Sequence, residues 1–391
     1  MSSIHVFFVH AKANDGELTT VDRLRKGKAM KRSTLYALHQ ALGATFTTVG
    51  EWELPQHFGD SRAEYQALRH GVGLCDLSHR NLVRITGRER RRFLHAMVSN
   101  DTQSLQPGQG CYATFLNAKG HLIADFVVYA EADAYLLELE PQMASPFIEA
   151  IEYFVISEDV TFHDESGHWG LLALQGPRAA ELLALALGQA APALPMYAST
   201  TCQLAGHTVC CIRRSHTGEF GYQLLAPPVA LPDVWNALWT HREACEARAV
   251  GLEVLDTVRI EAGIPVYGRD MTQETIPVEA NLEAALSYTK GCYIGQEVIA
   301  RIEARGHVNR KLAGLLLSGE RLPEPGAKIV SPQREVGWIT SAAYSPARQQ
   351  NIALGYVRRE VLTPGTPLEV RTHDHTLNAT VAELPFYTTQ G

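Results

Sequence analysis

The chain has 391 residues, which is more than one ordinary hydrophobic core can hold, so two or three domains are expected. Its net charge of −7 argues against nucleic acid or an anionic membrane as the main partner. No apolar run is long enough to span a bilayer. The opening "MSSIHVFFVHAKA" also lacks the basic start of a secretory signal.

The cysteines favour a reducing compartment. Their number is odd, and their spacing matches neither a disulfide framework nor a CxxC metal site. A cytoplasmic location is therefore the expectation. The sixteen scattered histidines likewise support no metal site. The seven cysteines are Cys75, Cys111, Cys202, Cys210, Cys211, Cys245 and Cys292.

A weak internal repeat organises the middle of the chain. Both "LVRITGRERRRFLHAM" (82–97) and "LLALQGPRAAELLALAL" (171–187) have the pattern of strand, glycine and helix. Two strand-like runs and another helix follow each copy. Each copy therefore predicts a split βαβ, or ferredoxin-like, module. After about residue 310, short strand-like runs broken by Gly and Pro predict a small β-barrel.

These patterns predict an α+β fold in four parts. Residues 1–30 are polar and lack periodicity, which indicates a loose N-terminal extension. Residues 31–80 and 165–280 would form one α+β module, and residues 81–164 would form a split βαβ module inserted within it. Residues 310–391 would form the C-terminal β-barrel.

Several segments over residues 33–391 resemble, in order, landmarks of the glycine-cleavage T-protein family, the tetrahydrofolate-dependent aminomethyltransferases. They include "GVGLCDLSH", "ALQGPRA", "HTGEFGYQ", "DTVRIEAGIPVYGRDM" and "IALGYVRREVLTPGT". The resemblance implies a three-domain ring around a central opening. It also implies tetrahydrofolate as the ligand, bound chiefly by the module of residues 31–80 and 165–280.

One segment points to a different branch of that superfamily. "KGCYIGQE" (290–297) resembles the signature of YgfZ-type folate-binding proteins, which are implicated in iron–sulfur cluster assembly or repair. That branch is the favoured prediction. It implies iron–sulfur client proteins as partners and leaves the chemical step open. The alternative is an enzyme, a tetrahydrofolate-dependent aminomethyltransferase served by a lipoyl carrier protein, or a related demethylase.

The resemblance implies a catalytic carboxylate and an aromatic neighbour. The family's paired aspartates correspond here to Ala124 and Asp125 in "LIADFVVY". A carboxylate beside the reacting folate nitrogens can handle a proton and stabilise developing positive charge. Tyr112 in "GCYATFLN" matches a tyrosine that lines the family's folate site. The structural alternatives are a strand hydrogen-bond acceptor for Asp125 and a core residue for Tyr112.

The pterin-reading segment departs from the family pattern. A glutamate normally ends it, whereas "HTGEFGYQ" begins with His216 and ends with Gln223. An amide offers one acceptor and one donor, so it cannot reproduce the two bonds that a carboxylate accepts. Glu219 is a substitute acceptor or a turn cap. Arg259 is either a basic ligand contact or the partner of Asp256 or Glu261.

Cys292 is the second candidate catalytic residue. Lys290, two positions earlier, would lower the thiol pKa if the two side chains converge. Such a thiolate could ligate iron, attack an electrophile or form a mixed disulfide. The structural alternative is an inert cysteine at a turn.

Overall fold

A computed structural model of the chain describes residues 30–332 and 334–388. Apart from Met30, the extension predicted for residues 1–30 lies outside these residues. By its internal contacts the chain divides into Met1–Lys31 and Arg32–Gly391, and every described helix and strand belongs to the second unit. No helix in the described ranges is long and apolar enough to cross a membrane.

The inserted module forms a five-stranded antiparallel sheet in the order β5-β6-β7-β4-β8. Four of these strands have the order of a split βαβ unit, and the fifth, β5, is added at one edge. Helices α3 and α4 follow the first and fourth strands of the module in the chain. The elements are β4 (Asn81–Thr86), α3 (Arg90–Met97), β5 (Gly110–Leu116), β6 (Leu122–Ala130), β7 (Tyr135–Leu139), α4 (Ala144–Glu152) and β8 (Thr161–Asp164).

The chain before this module supplies a hairpin, two helices and one strand. The strands β1 and β2 pair only with each other, whereas β3 enters the second sheet. Helix α2 starts at Ser61, and its N-cap residue Asp60 accepts a hydrogen bond from the amide of Ala63. The elements are α1 (Tyr36–Ala41), β1 (Thr45–Val49), β2 (Trp52–His57), α2 (Ser61–His70) and β3 (Val72–Asp76).

The second sheet has six strands in the order β10-β11-β12-β9-β3-β13. It departs from a plain split βαβ unit, because β3 lies between β9 and β13, and β13 pairs with it in parallel. The repeat therefore predicts the local elements of this sheet but not its strand order. The elements are β9 (Gly170–Gln175), α5 (Ala179–Leu187), β10 (Ser199–Leu204), β11 (His207–Arg213), β12 (Gly221–Ala226), α6 (Leu231–Thr240), β13 (Ala247–Ala249) and α7 (Leu252–Glu261).

The repeat's two glycines have the same structural role. Gly87 follows β4 and Gly176 follows β9, with φ angles of 103° and 133°. A side chain would be strained at either angle. A Cβ atom would also collide with the backbone of Asp159 at the first position and of Gly71 at the second. Both positions therefore require glycine.

The C-terminal strands close into a six-stranded barrel in the order β14-β17-β16-β15-β18-β19. The predicted α+β fold with a C-terminal barrel is confirmed. These elements are α8 (Gln296–Arg305), β14 (Arg310–Leu317), β15 (Lys328–Ser331), β16 (Arg334–Ser345), β17 (Gln350–Arg358), β18 (Pro367–Arg371) and β19 (Thr376–Ala382). Among the described residues, 3₁₀ turns occur at Pro228–Ala230, Pro277–Ala280, Glu283–Ala285 and Arg359–Val361.

The two sheets pack face to face through a shared apolar layer. Leu82, Val127 and Leu136 come from the five-stranded sheet, and Leu171 and Ile212 come from the six-stranded sheet. All five are nearly inaccessible to solvent. This layer fixes the position of polar side chains that project from the same faces at its edge.

Candidate functional site

A cavity of about 1270 Å³ lies where the two sheets and the barrel meet. The five-stranded sheet contributes Tyr112 and Asp125, and the six-stranded sheet contributes Arg214 from the loop after β11. The barrel side includes Leu312 and Ala382. Ligand pockets usually measure about 300–1,000 Å³, so this cavity can hold a ligand the size of a folate.

Asp125 and Tyr112 project from one face of neighbouring strands. In the β5–β6 register, Thr114 is opposite Asp125 and Tyr112 is opposite Val127, so Tyr112 is a diagonal neighbour of Asp125. The Tyr112 hydroxyl donates a 2.7 Å hydrogen bond to Asp125 Oδ2. The other oxygen, Oδ1, is buried and has no hydrogen-bond partner among the described residues. One oxygen is therefore fixed while the other is available to a ligand.

Burial, and then the negative charge of Glu140, raise the pKa of Asp125 to about 6. The hydrogen bond from Tyr112 opposes this change, because it favours the ionised form. A carboxyl group with a pKa near 6 is ionised at neutral pH but exchanges a proton readily. The position predicted from the sequence thus has suitable chemistry for proton transfer.

A second buried carboxylate, Glu138 on β7, is fully hydrogen-bonded. Oε1 accepts from Arg80 Nε at 2.5 Å, and Oε2 accepts from Tyr129 Oη at 2.7 Å and from Gln223 Nε2 at 2.9 Å. Burial alone would raise the pKa of Glu138, but the charges of Arg80 and Arg214 outweigh it and hold that pKa below its usual range. Glu138 is therefore an ionised structural group that joins the two sheets.

Gln223 does not face the cavity. Its side chain is completely buried, and Nε2 donates to Glu138 while Oε1 is 2.8 Å from His216 Nε2. Burial, and then the charge of Arg214, lower the pKa of His216 to about 3, so the neutral ring donates to the amide oxygen. Both polar atoms of Gln223 are thus engaged. Gln223 is absent from the cavity lining, to which its partners Glu138 and His216 belong, so its predicted contact with the pterin has no support in this structure.

Two further residues that were predicted to contact the ligand, Arg259 and Glu219, form hydrogen bonds with other residues of the protein. Arg259 lines the cavity, but its guanidinium is bonded to Asp256, Asp270 and Ser341. Its alternative, an ion pair with Asp256, is what the structure shows. Glu219 is buried against Arg69, at 2.5 Å, and is not among the residues that line the cavity. Glu219 is thus removed from the cavity, whereas Arg259 lines it with most of its donors bound to protein.

The "KGCYIGQE" segment docks on the five-stranded sheet. Lys290 Nζ donates to the carbonyl groups of His95 and Val98 at the C-terminal end of α3. Gly295 has a φ of 84°, and a Cβ there would lie 2.7 Å from the carbonyl oxygen of Asn117 in the β5–β6 turn. The segment therefore has a structural role, since it attaches to both a helix end and a turn of this module.

The structure does not bring Cys292 and Lys290 to the Asp125 site. The Cys292 thiol is exposed to solvent, and neither residue lines the cavity. The ammonium group of Lys290 is bound to main-chain carbonyls, so the predicted activation of the thiol by Lys290 is corrected. A third bond from Lys290 Nζ, of 3.3 Å, reaches the carbonyl group of Asn100.

Sequence reasoning missed three charged residues at this site, namely Arg80, Glu138 and Arg214. A signal was present for Glu138, because it lies within the apolar strand "YLLEL", where a charged residue must find a partner. Arg80 and Arg214 gave no comparable signal, since each lies just outside a strand. In the described chain, three buried cavity atoms lack a hydrogen-bond partner: Asp125 Oδ1, His79 Nδ1 and Arg214 Nε.

Comparison with known proteins identifies the family. Residues 35–290 match the GCVT N-terminal domain, and residues 310–388 match the glycine cleavage T-protein C-terminal barrel domain. An aminomethyltransferase of Saccharopolyspora erythraea is 32% identical over 361 residues, covering 91% of this chain and 98% of that protein. An aminomethyltransferase of Pelodictyon phaeoclathratiforme is 30% identical over 364 residues, covering 92% and 99%.

A solved structure agrees with these relatives. The glycine cleavage system aminomethyltransferase T from Bartonella henselae is similar, with a TM-score of 0.83 and 25% identity over 92% of this chain and 99% of that chain. Because similarity to aminomethyltransferases extends over nine-tenths of the chain, the favoured prediction of a YgfZ-type protein assisting iron–sulfur assembly is wrong. The chain belongs to the glycine cleavage T-protein family.

Proposed function

We propose that this protein is an aminomethyltransferase that transfers a one-carbon unit from an aminomethylated lipoyl carrier protein to tetrahydrofolate. Its relatives with about 30% identity are aminomethyltransferases. The observation that carries the proposal is the Asp125 carboxylate, which lines the cavity, is fixed by Tyr112 at one oxygen and has no hydrogen-bond partner at the other.

The cavity fits tetrahydrofolate, the cofactor of this family. Tyr112, Tyr197 and Tyr267 line it and offer aromatic surface to a flat ring. The unpartnered atoms of Asp125 and Arg214 offer an acceptor and a donor to polar ring edges. When bound, tetrahydrofolate supplies the nitrogen atoms that accept the one-carbon unit.

Asp125 would have two roles, to stabilise developing positive charge and to accept a proton. As the bond between the aminomethyl carbon and the carrier sulfur breaks, positive charge develops on the carbon–nitrogen unit, and a nearby carboxylate stabilises it. The same carboxylate can accept a proton, because its pKa of about 6 lies close to neutral pH. Tyr112 would be a positioning residue, since its hydroxyl holds one carboxylate oxygen in place.

The test compares the wild-type protein with Asp125→Asn and with a matched control, Asp133→Asn. Asp133 is exposed and lies in the turn between β6 and β7 of the same hairpin. Purified protein is given tetrahydrofolate and aminomethylated carrier protein, and ammonia and methylenetetrahydrofolate are measured. We expect Asp125→Asn to lose about 10²- to 10⁴-fold in rate, as is usual for removal of a general acid or base.

The control variant should keep the wild-type rate, because its side chain is remote from the reacting groups. A wild-type protein that binds tetrahydrofolate but releases no ammonia from the carrier would refute aminomethyl transfer. Full activity of Asp125→Asn would instead refute the assignment of the carboxylate.

A further inference from the structure

The Arg214 guanidinium lies in the wall of the cavity, and its buried Nε has no hydrogen-bond partner among the described residues. Its side chain is only 13% exposed, and its Nε lies 4.0 Å from Glu138 Oε1, beyond hydrogen-bond length. At that distance Glu138 is a loose ion-pair partner that accepts no hydrogen bond from Nε. The guanidinium carbon lies 5.5 Å from the centroid of the Tyr197 ring.

The backbone holds Arg214 in place although its Nε makes no hydrogen bond. Its amide donates to the Gly221 carbonyl at 3.2 Å, and its carbonyl accepts from Gln175 Nε2 at 3.0 Å. Buried arginines normally satisfy most of their donors, because desolvating a guanidinium without partners is costly. A rigidly placed guanidinium whose buried Nε donates no hydrogen bond therefore indicates a ligand that supplies an acceptor.

The neighbouring carboxylates make their hydrogen bonds to Arg80 and not to Arg214 Nε. Arg80 binds Glu138 through Nε and Glu140 through Nη1, at 2.5 and 2.8 Å. The remaining oxygen of Glu138 accepts from Tyr129 and Gln223. Both carboxylates therefore bind Arg80, and Glu138 reaches Arg214 only as a 4.0 Å ion pair without a hydrogen bond to Nε.

The net charge of the four side chains at this position, Arg214 included, favours a neutral carbonyl group of the ligand over a ligand carboxylate. Arg80 and Arg214 contribute two positive charges, and Glu138 and Glu140 contribute two negative charges, so the four groups are formally neutral. An additional anion would gain little net attraction there, whereas a neutral carbonyl can accept a hydrogen bond without adding charge. Arginine reads the carbonyl-bearing edge of guanine by the same kind of contact.

We infer that Arg214 is a pterin-binding residue that donates hydrogen bonds to the ring carbonyl of tetrahydrofolate. This inference rests on the proposed function, since it assumes a folate in this cavity. The family resemblance implies a carboxylate at the position of Gln223 that accepts hydrogen bonds from the pterin. Arg214 would instead donate hydrogen bonds to the pterin. Tyr197 would place an aromatic face beside the same ring.

Calorimetric titration of three ligands tests the inference without any assay of activity. The ligands are tetrahydrofolate, 6-methyltetrahydropterin, which lacks the benzoylglutamate tail, and p-aminobenzoylglutamate, which lacks the pterin. The proteins are wild type, Arg214→Met and Arg214→Lys. Arg213→Met is the matched control, because Arg213 stacks on Phe220 and lies outside the cavity lining.

We expect Arg214→Met to weaken tetrahydrofolate and 6-methyltetrahydropterin by the same factor, roughly 10- to 100-fold, as for loss of charged hydrogen bonds. Binding of p-aminobenzoylglutamate should not change. Arg214→Lys should recover part of the loss, since it keeps the charge without the planar fork. Arg213→Met should bind all three ligands as the wild type does.

Two outcomes overturn the inference. Equal pterin binding by wild type, Arg214→Met and Arg214→Lys would show that Arg214 does not touch the ring. A loss confined to tetrahydrofolate and p-aminobenzoylglutamate would assign Arg214 to the glutamate carboxylates instead. If the wild type binds no tetrahydrofolate at all, the proposed function itself fails. Thermal unfolding of each variant shows whether it is folded, and Arg214→Lys serves if Arg214→Met is not.

Discussion

Two carboxylates of the five-stranded sheet, the buried Glu138 and the half-buried Asp125, differ in their hydrogen bonds. Glu138 on β7 is opposite Val127 on β6, and Asp125 is two residues before Val127, so both acids project from the same face. Glu138 has every oxygen engaged, whereas Asp125 keeps one oxygen without a partner. The direction of the pKa change differs accordingly, downward for Glu138 and upward for Asp125.

This difference shows that burial does not by itself identify a functional acid. In both cases desolvation raises the pKa, but two arginine charges reverse the effect at Glu138. A satisfied buried charge contributes to folding, and an incompletely satisfied one retains capacity for a ligand. Substitution of Glu138 is therefore expected to lower stability, whereas substitution of Asp125 is expected to raise stability and to lower activity.

The largest effect is expected for Glu138→Gln. It leaves Arg80 and Arg214 with the single negative charge of Glu140 at a largely buried site, which should lower the free energy of unfolding by about 3–5 kcal/mol. Urea denaturation at pH 7 measures the change. The folded-state pKa of Glu138 is lowered, so its stabilising effect is present above its unfolded pKa and is lost as pH falls.

The deficit of the variant should therefore shrink in acid. A loss below about 1 kcal/mol at pH 7 would mean that the hydrogen bonds around Glu138 contribute little to stability.

The second effect has the opposite sign. Asp125→Asn should raise the free energy of unfolding by up to about 3 kcal/mol, because one pKa unit corresponds to about 1.4 kcal/mol. The folded-state pKa is raised from 3.8 to about 6, so ionisation opposes folding. The stabilising effect of protonation is complete below about pH 4 and is lost as pH rises through 6.

Denaturation curves at pH 4 and pH 8 measure this prediction, and Asp133→Asn is again the control. The advantage of Asp125→Asn should appear at pH 8 only. An equal difference at both pH values would contradict the assigned pKa.

A smaller effect concerns the pH dependence of kcat/KM, in which ionisation of Asp125 gives an acid limb near pH 6. Tyr112→Phe removes a hydrogen bond that favours the ionised form, so the limb should move upward by roughly 1 pH unit. Glu140→Gln removes a negative charge that raises the pKa, so the limb should move downward.

Opposite shifts from the two variants would be difficult to explain by general loss of structure. If both move the limb in the same direction, a group other than Asp125 controls it.

The smallest effect is expected at Cys292. Because the thiol is exposed and outside the cavity lining, Cys292→Ser should change the aminomethyl transfer rate by less than about twofold and stability by less than about 0.5 kcal/mol. Lys290→Met provides the contrast within the same segment. It removes the hydrogen bonds to α3 and should lower the midpoint of thermal unfolding while sparing folate affinity.

A large loss of rate for Cys292→Ser, with wild-type stability, would show that the thiol takes part in the reaction.

The sequence by itself determined the features that depend on local pattern. Periodicity and the glycines at 87 and 176 predicted the strand–glycine–helix repeats, and short strands with turn residues predicted the barrel. Family resemblance selected Asp125 and Tyr112, which the structure places in contact. The order of the six-stranded sheet was not accessible in this way, because β3 and β9 pair across more than ninety intervening residues.

Only the tertiary structure decided which polar groups are free. Gln223 is engaged because Glu138 approaches it from the other sheet, and Lys290 is engaged because α3 ends beside it. Arg214 Nε remains without a hydrogen bond because Arg80 binds both neighbouring glutamates. Hydrogen-bond satisfaction depends on neighbours brought together by folding, so residue type and spacing do not reveal it.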